Sequence, residues 1–190
     1  MGNLAGFRAA FIDAQDYARR RAGKEPGKRD LKLDSLAGAM SGELLVHIHC
    51  YRADEMSLML DLAREFDFKV TAFHHGVEAY KLADRLAANG VCAALWADWW
   101  GFKMEAFDGI QENIALVDRV AGSCAIVHSD SSEGIQRLNQ EAAKVIANAR
   151  RIDIGIAPEH AIRWLTQNAA RALGVLERTG TLEAGKAADV

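Results

Sequence analysis

The apolar pattern of this 190-residue chain changes four times from helical spacing to a short continuous run, and this alternation constrains the fold most strongly. The four runs lie at residues 44–50, 70–74, 91–97 and 124–129. A stretch with apolar residues three and four positions apart follows each run and predicts a helix. Two more helices are predicted before the first strand. A last one is predicted to start at Pro158 and to end before Gly174.

Four successive strand–helix units with nearly continuous apolar strands predict a parallel sheet covered by helices, either open or part of a barrel. No strand leads into a GxGxxG or GxxxxGK[ST] loop, so an open nucleotide-binding sheet would lack its phosphate-binding loop. Polar residues instead follow the carboxyl ends of the strands, where a barrel carries its chemistry: His47, His49, His74, His75, Asp98, His128 and Asp130. We therefore predict an α/β fold, half of a TIM-type (β/α)8 barrel with four parallel βα units and flanking helices.

The charge pattern argues against nucleic acid as a partner, and the length of the apolar runs argues against a membrane. The 23 basic and 26 acidic side chains are interspersed, which gives a net charge of −3 without a basic stripe. No apolar run approaches the roughly 18 residues that a membrane span needs. The three cysteines show no CxxC spacing, so we expect buried, reduced thiols and a cytoplasmic protein.

The strand ends suggest a metal site. His47 and His49 are two positions apart, so on a strand both side chains share one face and can point at one ion. The alternative is that a histidine on a buried strand is a hydrogen-bonded structural residue. Because three different strands end in His or Asp, and a zinc ion needs imidazoles and carboxylates from separate elements, the metal interpretation is favoured.

Five segments carry a resemblance to a known family: HIHCYRADE, FHHGVEAYKLADRLAANGV, WWGFKMEAFDGIQENIALVD, CAIVHSDSSEGIQRLNQEAAK and ERTGTLEAGKAADV. Together they resemble the amidohydrolase superfamily, in its imidazolonepropionase-like branch, over nearly the whole chain. The resemblance implies that barrel strands five and six each end in a metal-binding His, and that strand eight ends in an Asp that contacts the metal and moves protons. It thus implies His49, His75 and Asp130 as metal ligands, Asp130 as the catalytic residue, and a divalent metal, zinc, as cofactor.

The resemblance also implies a domain organisation. Residues 1–174 correspond to strands five to eight of the barrel, and residues 175–190 to the start of a return to a small β domain, so we expect a piece of a longer protein. Assigning HIH instead to the first-strand HxH motif fails on two counts: the lead-in with Pro and Gly is missing, and the Asp-bearing strand follows three strands later rather than seven. We therefore expect His47 to be a buried or supporting residue.

The implied function is metal-dependent hydrolysis of a C–N bond in a small-molecule or peptide-like substrate. A bound metal would lower the pKa of a water molecule, and Asp130 would carry the proton to the departing nitrogen. The alternative is a folded but catalytically incompetent chain, because the first-strand HxH pair and the mid-barrel carboxylate or carboxylated lysine have no counterpart here. An open-sheet binding module ranks last, because it would need an anion-binding glycine loop.

Other residues near the strand ends keep two interpretations each. Trp99 and Trp100 either plug the barrel mouth or form a substrate-facing wall. Lys103 is expected to be a solvated surface lysine, with binding of a substrate carboxylate as the alternative. His128, two positions before Asp130, either orients that carboxylate or packs. His74 is expected to face the helix layer, opposite to His75.

The number of strands predicts self-association. Four βα units cannot close a barrel that needs eight, so two open sheet edges and an apolar inner face remain. A soluble monomer rarely exposes such a face, and a second copy is the simplest cover. We therefore expect a homo-oligomer.

Overall fold

The computed structural model describes residues 2–99 and 101–187. Its centre is one sheet of four parallel strands in the order in which they occur along the chain. The strands are β1 (Val46–His49), β2 (Val70–His74), β3 (Cys92–Leu95) and β4 (Ala125–Val127). Phe73 pairs with Ala93, which in turn pairs with Ala125. Sequential neighbours in a parallel sheet are the arrangement of a barrel wall, and the predicted fold class is confirmed.

The helices occupy the predicted places. They are α1 (Gly2–Arg21), α2 (Leu31–Met40), α3 (Ala53–Glu65), α4 (Ala83–Ala88), α5 (Asn113–Asp118), α6 (Leu138–Arg150), α7 (Pro158–Ala161) and α8 (Gln167–Ala172). The prediction of a single helix from Pro158 is wrong, because a 3-10 turn over Ile162–Trp164 separates α7 from α8. Thr166, before α8, has φ −125° and ψ −83°, outside the helical region, so α8 begins as a separate helix.

One compact unit comprises the residues up to Val46 together with Leu58–Val70. Phe11 of α1 stacks on Phe66 and Phe68, with ring centroids 5.2 and 4.7 Å apart. Asp30 caps α2, since its carboxylate accepts hydrogen bonds from the first free backbone N–H groups of that helix. Aromatic stacking and a capped helix thus give this unit a core of its own.

The second compact unit comprises His47–Ser57 and the chain from Thr71 onward, and it contains most of the sheet. One sheet face consists of fully buried side chains, among them Phe73, Ala93 and Leu95. On the other face, which carries His74, buried apolar residues pack with Ala169 and Ala172 of α8: Ala72, Cys92, Ala94, Cys124 and Ile126. The last helix therefore covers part of the face that would line a closed barrel.

Two of the three cysteines form a disulfide, so the expectation of three reduced thiols is wrong for Cys92 and Cys124. The register of β3 and β4 places them side by side on one sheet face, with their Cα atoms 4.5 Å apart. Cys50 is free and buried, and burial raises the pKa of its thiol to about 12. The pairing could not be predicted because strand register is not readable from spacing along the chain.

Two expectations fall on the outer parts of the chain. In the part that the structure describes, no helix combines the length and apolar character needed to cross a membrane. Residues 175–187 form turns without a strand, and residues 188–190, where the return to a small β domain would continue, lie outside the described residues. The division into a barrel domain over residues 1–174 and a second domain from 175, like the cytoplasmic location, stays a prediction.

Candidate metal centre

The carboxyl end of β2 has an unusual backbone conformation at His75. This residue has φ +62°, in the left-handed region that few non-glycine residues adopt, and its N–H donates to the Ala94 carbonyl at 2.9 Å. The turn breaks the alternation of side chains along the strand, so the rings of His74 and His75 lie near each other, with centroids 6.1 Å apart. The expectation that His74 faces the helix layer is therefore wrong.

His74 is held by His47 of β1. Nδ1 of His47 lies 2.9 Å from Nε2 of His74, and Nε2 of His47 lies 3.0 Å from the carbonyl oxygen of Ala172. A carbonyl only accepts, so Nε2 of His47 donates to it, and Nδ1 of a neutral His47 accepts from His74. Burial is the main cause that lowers the pKa of His74, and the neighbouring His47 contributes to the same lowering. His47 thus supports a neighbour of the site.

His75, His128 and Asp130 form the cluster that suits a metal ion. Each offers one ligand atom, and these atoms all lie within 4.8 Å of one another. Nδ1 of His75 lies 3.4 Å from one oxygen of Asp130, and Nδ1 of His128 lies 4.0 Å from the other. His128 and Asp130 follow β4 directly and His75 follows β2, so the ends of two strands build the cluster.

The two imidazoles of this cluster are in the form that a cation requires. Burial lowers the pKa of both His75 and His128 to about 4, more than the nearby Asp130 carboxylate raises it. Among the described residues, Nδ1 of His75 and Nε2 of His128 are buried without a hydrogen-bond partner. An unsatisfied buried polar atom is costly, and imidazole nitrogens close to a carboxylate form a donor set that suits a divalent cation.

Sequence reasoning and the structure differ in which histidine joins His75 and Asp130. The ring of His49 lies beside that of His75, with centroids 4.3 Å apart, but His49 is exposed and lies outside the three-residue cluster. The structure instead places His128 in the cluster. For this residue the sequence had allowed two roles, orienting the Asp130 carboxylate or packing. Its signal was the spacing, since two positions on a strand end place His128 and Asp130 on one side. The ligand role of His49 stays a prediction.

Aromatic rings surround the cluster. Trp96 is buried beside it, with its ring centroid 4.8 Å from that of His75 and 5.8 Å from that of His128. Trp99 and Phe102, from the loop after β3, pack on Trp96 at 5.4 and 5.5 Å. Trp99 therefore lies next to the site, whereas Trp100 lies outside the described residues.

Lys103 of the same loop is exposed, as expected for a surface lysine, and it also contacts Tyr51. Its Nζ donates to the hydroxyl of Tyr51 at 2.7 Å and lies 4.0 Å from the centroid of the Tyr51 ring. The Tyr51 ring in turn lies 5.7 Å from that of His75. One cation thus sits close to the cluster on a fixed aromatic partner.

Solved structures of similar fold include an amidohydrolase and two deaminases. An amidohydrolase from Thermotoga maritima MSB8 superimposes with a TM-score of 0.84 at 27% identity, over 100% of this chain and 49% of that chain. An adenosine deaminase from Xanthomonas campestris with bound zinc gives a TM-score of 0.61 at 18% identity, over 94% of this chain and 46% of that one. The guanine deaminase of E. coli gives 0.56 at 15% identity, over 95% and 47%. The two deaminases show a shared fold only.

Sequence comparisons agree with the fold. The protein named amidohydrolase tasK from Hapsidospora irregularis is 30% identical over 208 residues, which cover 100% of this chain and 20% of that relative. The chain therefore spans about a fifth of this relative and about half of each solved structure. The model of the amidohydrolase family matches residues 33–190. With most of its length inside that match, the chain belongs to the amidohydrolase family.

Proposed function

We propose that this chain supplies part of the active site of a metal-dependent hydrolase that acts on C–N bonds. The observation that carries the proposal is the cluster of the buried His75, the partly buried His128 and the Asp130 carboxylate, whose ligand atoms lie within 4.8 Å of one another and whose imidazoles have lowered pKa values. Membership of the amidohydrolase family supports the reaction class. An amide, lactam or peptide bond in a small-molecule or peptide-like substrate is the proposed target.

His75, His128 and Asp130 are the proposed ligands, with His49 as a further ligand that the resemblance implies. Two imidazole nitrogens and a carboxylate oxygen make zinc the best-suited ion. When bound, the ion would lower the pKa of a water molecule and polarise the substrate carbonyl. His49 is exposed beside His75, so the side chain that would complete the donor set lies on the solvent side.

Asp130 is the proposed proton carrier. Its side chain is half exposed, so a carboxylate oxygen can reach both the attacking water and the substrate. That oxygen would accept a proton from the water and release it to the departing nitrogen, which makes the amine a better leaving group. Trp96 and Trp99 would exclude bulk water from one side of the bond being cleaved.

Zinc affinity of the metal-free chain tests the ligand assignment. Competition with a chromogenic chelator should show zinc bound by the unaltered chain, and His75→Ala and Asp130→Ala should each weaken binding by about 100-fold or more. His128→Ala and His49→Ala tell the two candidate ligands apart, and we expect the larger loss for His128→Ala because its ring nitrogen is buried and unpartnered.

His160→Ala is the matched control, since Nε2 of His160 is bonded to Asp118 outside the cluster. Its zinc affinity should stay within about twofold of the unaltered chain. Zinc affinity that is equal in the unaltered chain, His75→Ala and Asp130→Ala would sink the proposed ligand set and favour a folded chain that is catalytically incompetent.

We also propose that the chain forms homo-oligomers. In the described residues β1 and β4 are the two outer strands of the sheet, and an outer strand can pair with a strand of a second copy. Ala169 and Ala172 of α8 cover part of one sheet face, so the edges carry the argument. Light scattering at micromolar concentration should give at least twice the chain's 20.7 kDa mass, and a stable monomer would refute this proposal.

A further inference from the structure

A cavity of about 560 Å³ lies at the end of β4 opposite to Asp130. Its walls come from the turn between α5 and β4 and from the segment that contains α7 and α8. We call it the basal cavity. Its volume falls in the range of small-molecule sites, and none of the metal-centre residues contributes to it.

Three arginines line the basal cavity: Arg119, Arg163 and Arg171. All three side chains are exposed, and no hydrogen bond or ion pair engages any of these guanidinium groups within residues 2–99 and 101–187. Arg8 of the same chain is, by contrast, paired with Glu65. Three unpaired guanidiniums around one concavity therefore leave a concentrated positive charge.

Asp118 is the one acidic residue among those that line the basal cavity, and its carboxylate is already engaged. Nε2 of His160 lies 2.8 Å from one oxygen, and Nε1 of Trp164 donates to the other at 2.8 Å. The arginines thus outnumber the carboxylate three to one, so the residues that line the cavity carry a net charge of +2.

We propose that the basal cavity binds a small molecule that carries a phosphate group or another multivalent oxyanion. Guanidinium forks match the geometry of phosphate oxygens and bind them through paired, charge-assisted hydrogen bonds. A dianion balances the net charge of the cavity, whereas a single carboxylate leaves half of it uncompensated. Gln167, also in the lining, adds an amide that can donate to a further oxygen.

The test is a calorimetric titration of the chain with anions in the presence of a metal chelator, which keeps the metal centre empty so that only binding at the basal cavity is measured. The probes are pyrophosphate, inorganic phosphate and acetate at one fixed ionic strength. We expect pyrophosphate to bind about tenfold or more tightly than acetate, with phosphate between them, because each additional charge-assisted contact strengthens binding about tenfold. Arg163→Gln/Arg171→Gln should weaken pyrophosphate binding by about tenfold or more.

The matched control is Arg137→Gln/Arg150→Gln, which removes the same charge from residues that do not line the cavity. Its pyrophosphate affinity should stay within about twofold of the unaltered chain. Arg163→Lys/Arg171→Lys keeps the positive charge but loses the forked guanidinium groups. Its pyrophosphate affinity should lie between those of the unaltered chain and the Arg163→Gln/Arg171→Gln variant. Circular dichroism checks that all variants fold.

Two results would overturn the proposal. One is equal affinity for acetate and pyrophosphate, which would show that no multivalent site exists. The other is an equal loss in the two Gln double variants, which would show that pyrophosphate responds only to the overall charge of the surface. Should the first Gln variant fail to fold, the Lys variant decides in its place, and undiminished pyrophosphate affinity there would contradict recognition by guanidinium forks.

Discussion

In a complete amidohydrolase barrel that contains this chain, Asp130→Asn should lower kcat by about 10²- to 10⁴-fold on an amide or dipeptide substrate. Asparagine keeps the size and shape of the side chain but cannot accept the proton of the attacking water. Its amide would also lie where Asp130 now approaches His75 at 3.4 Å. The rate is measured as the release of amine, which chromatography quantifies over time for a panel of N-acyl amino acids and dipeptides.

Asp98→Asn is the matched control for this experiment. Asp98 also follows a strand of the sheet, but its carboxylate is bonded to Lys144 at 2.8 Å and it is not part of the cluster. We expect its kcat to stay within about twofold of the unaltered enzyme. Full activity of Asp130→Asn would remove Asp130 from proton transfer, whatever the control shows.

Trp164→Ala should lower the free energy of unfolding by about 3–5 kcal/mol. Trp164 is fully buried, with 0% of its surface exposed, so truncation opens a cavity that its neighbours cannot fill. The change also removes the indole N–H that donates to Asp118 at 2.8 Å, leaving one oxygen of a largely buried carboxylate without its donor. Urea titration followed by circular dichroism measures the loss.

Trp99→Ala provides the comparison, because the same truncation is made at a side chain that is 37% exposed. We expect it to cost about 1 kcal/mol or less. The loss of stability in Trp164→Phe should fall between those of the two variants, since phenylalanine keeps part of the buried aromatic ring and loses the hydrogen bond to Asp118. Equal destabilisation by Trp164→Ala and Trp99→Ala would show that the last helices do not form part of the core.

The sheet could be predicted because its strands are nearly continuous apolar runs. Side chains of β3 and β4 are buried on both faces, so burial alone determines their composition and makes them recognisable. The region after Pro158 could not be predicted as well, since α7 and α8 share the apolar periodicity of one helix. A 3-10 turn and the non-helical Thr166 lie between them, and the Trp164 of that turn donates to Asp118, a tertiary contact that helical periodicity does not encode.

The candidate site was predicted in part for a similar reason. Strand ends and the resemblance place His75 and Asp130 at one edge of the sheet, and the structure brings them to 3.4 Å. The place of the His75 side chain depends on a single backbone angle, φ +62° at that residue, and the ring of His75 comes to lie 6.1 Å from that of His74. Such a turn leaves no trace in hydropathy, since both residues are histidines.

The central claim is that one cation binds between His75, His128 and Asp130, and a crystal structure of the chain grown with zinc tests it most directly. Anomalous difference density recorded at the zinc absorption edge should show a peak there, with nitrogen and oxygen atoms of these residues at about 2.0–2.2 Å. A peak that includes His49 as well would add the ligand that the resemblance implies. No peak at this cluster under saturating zinc, or a zinc ion held by other residues alone, would contradict the account.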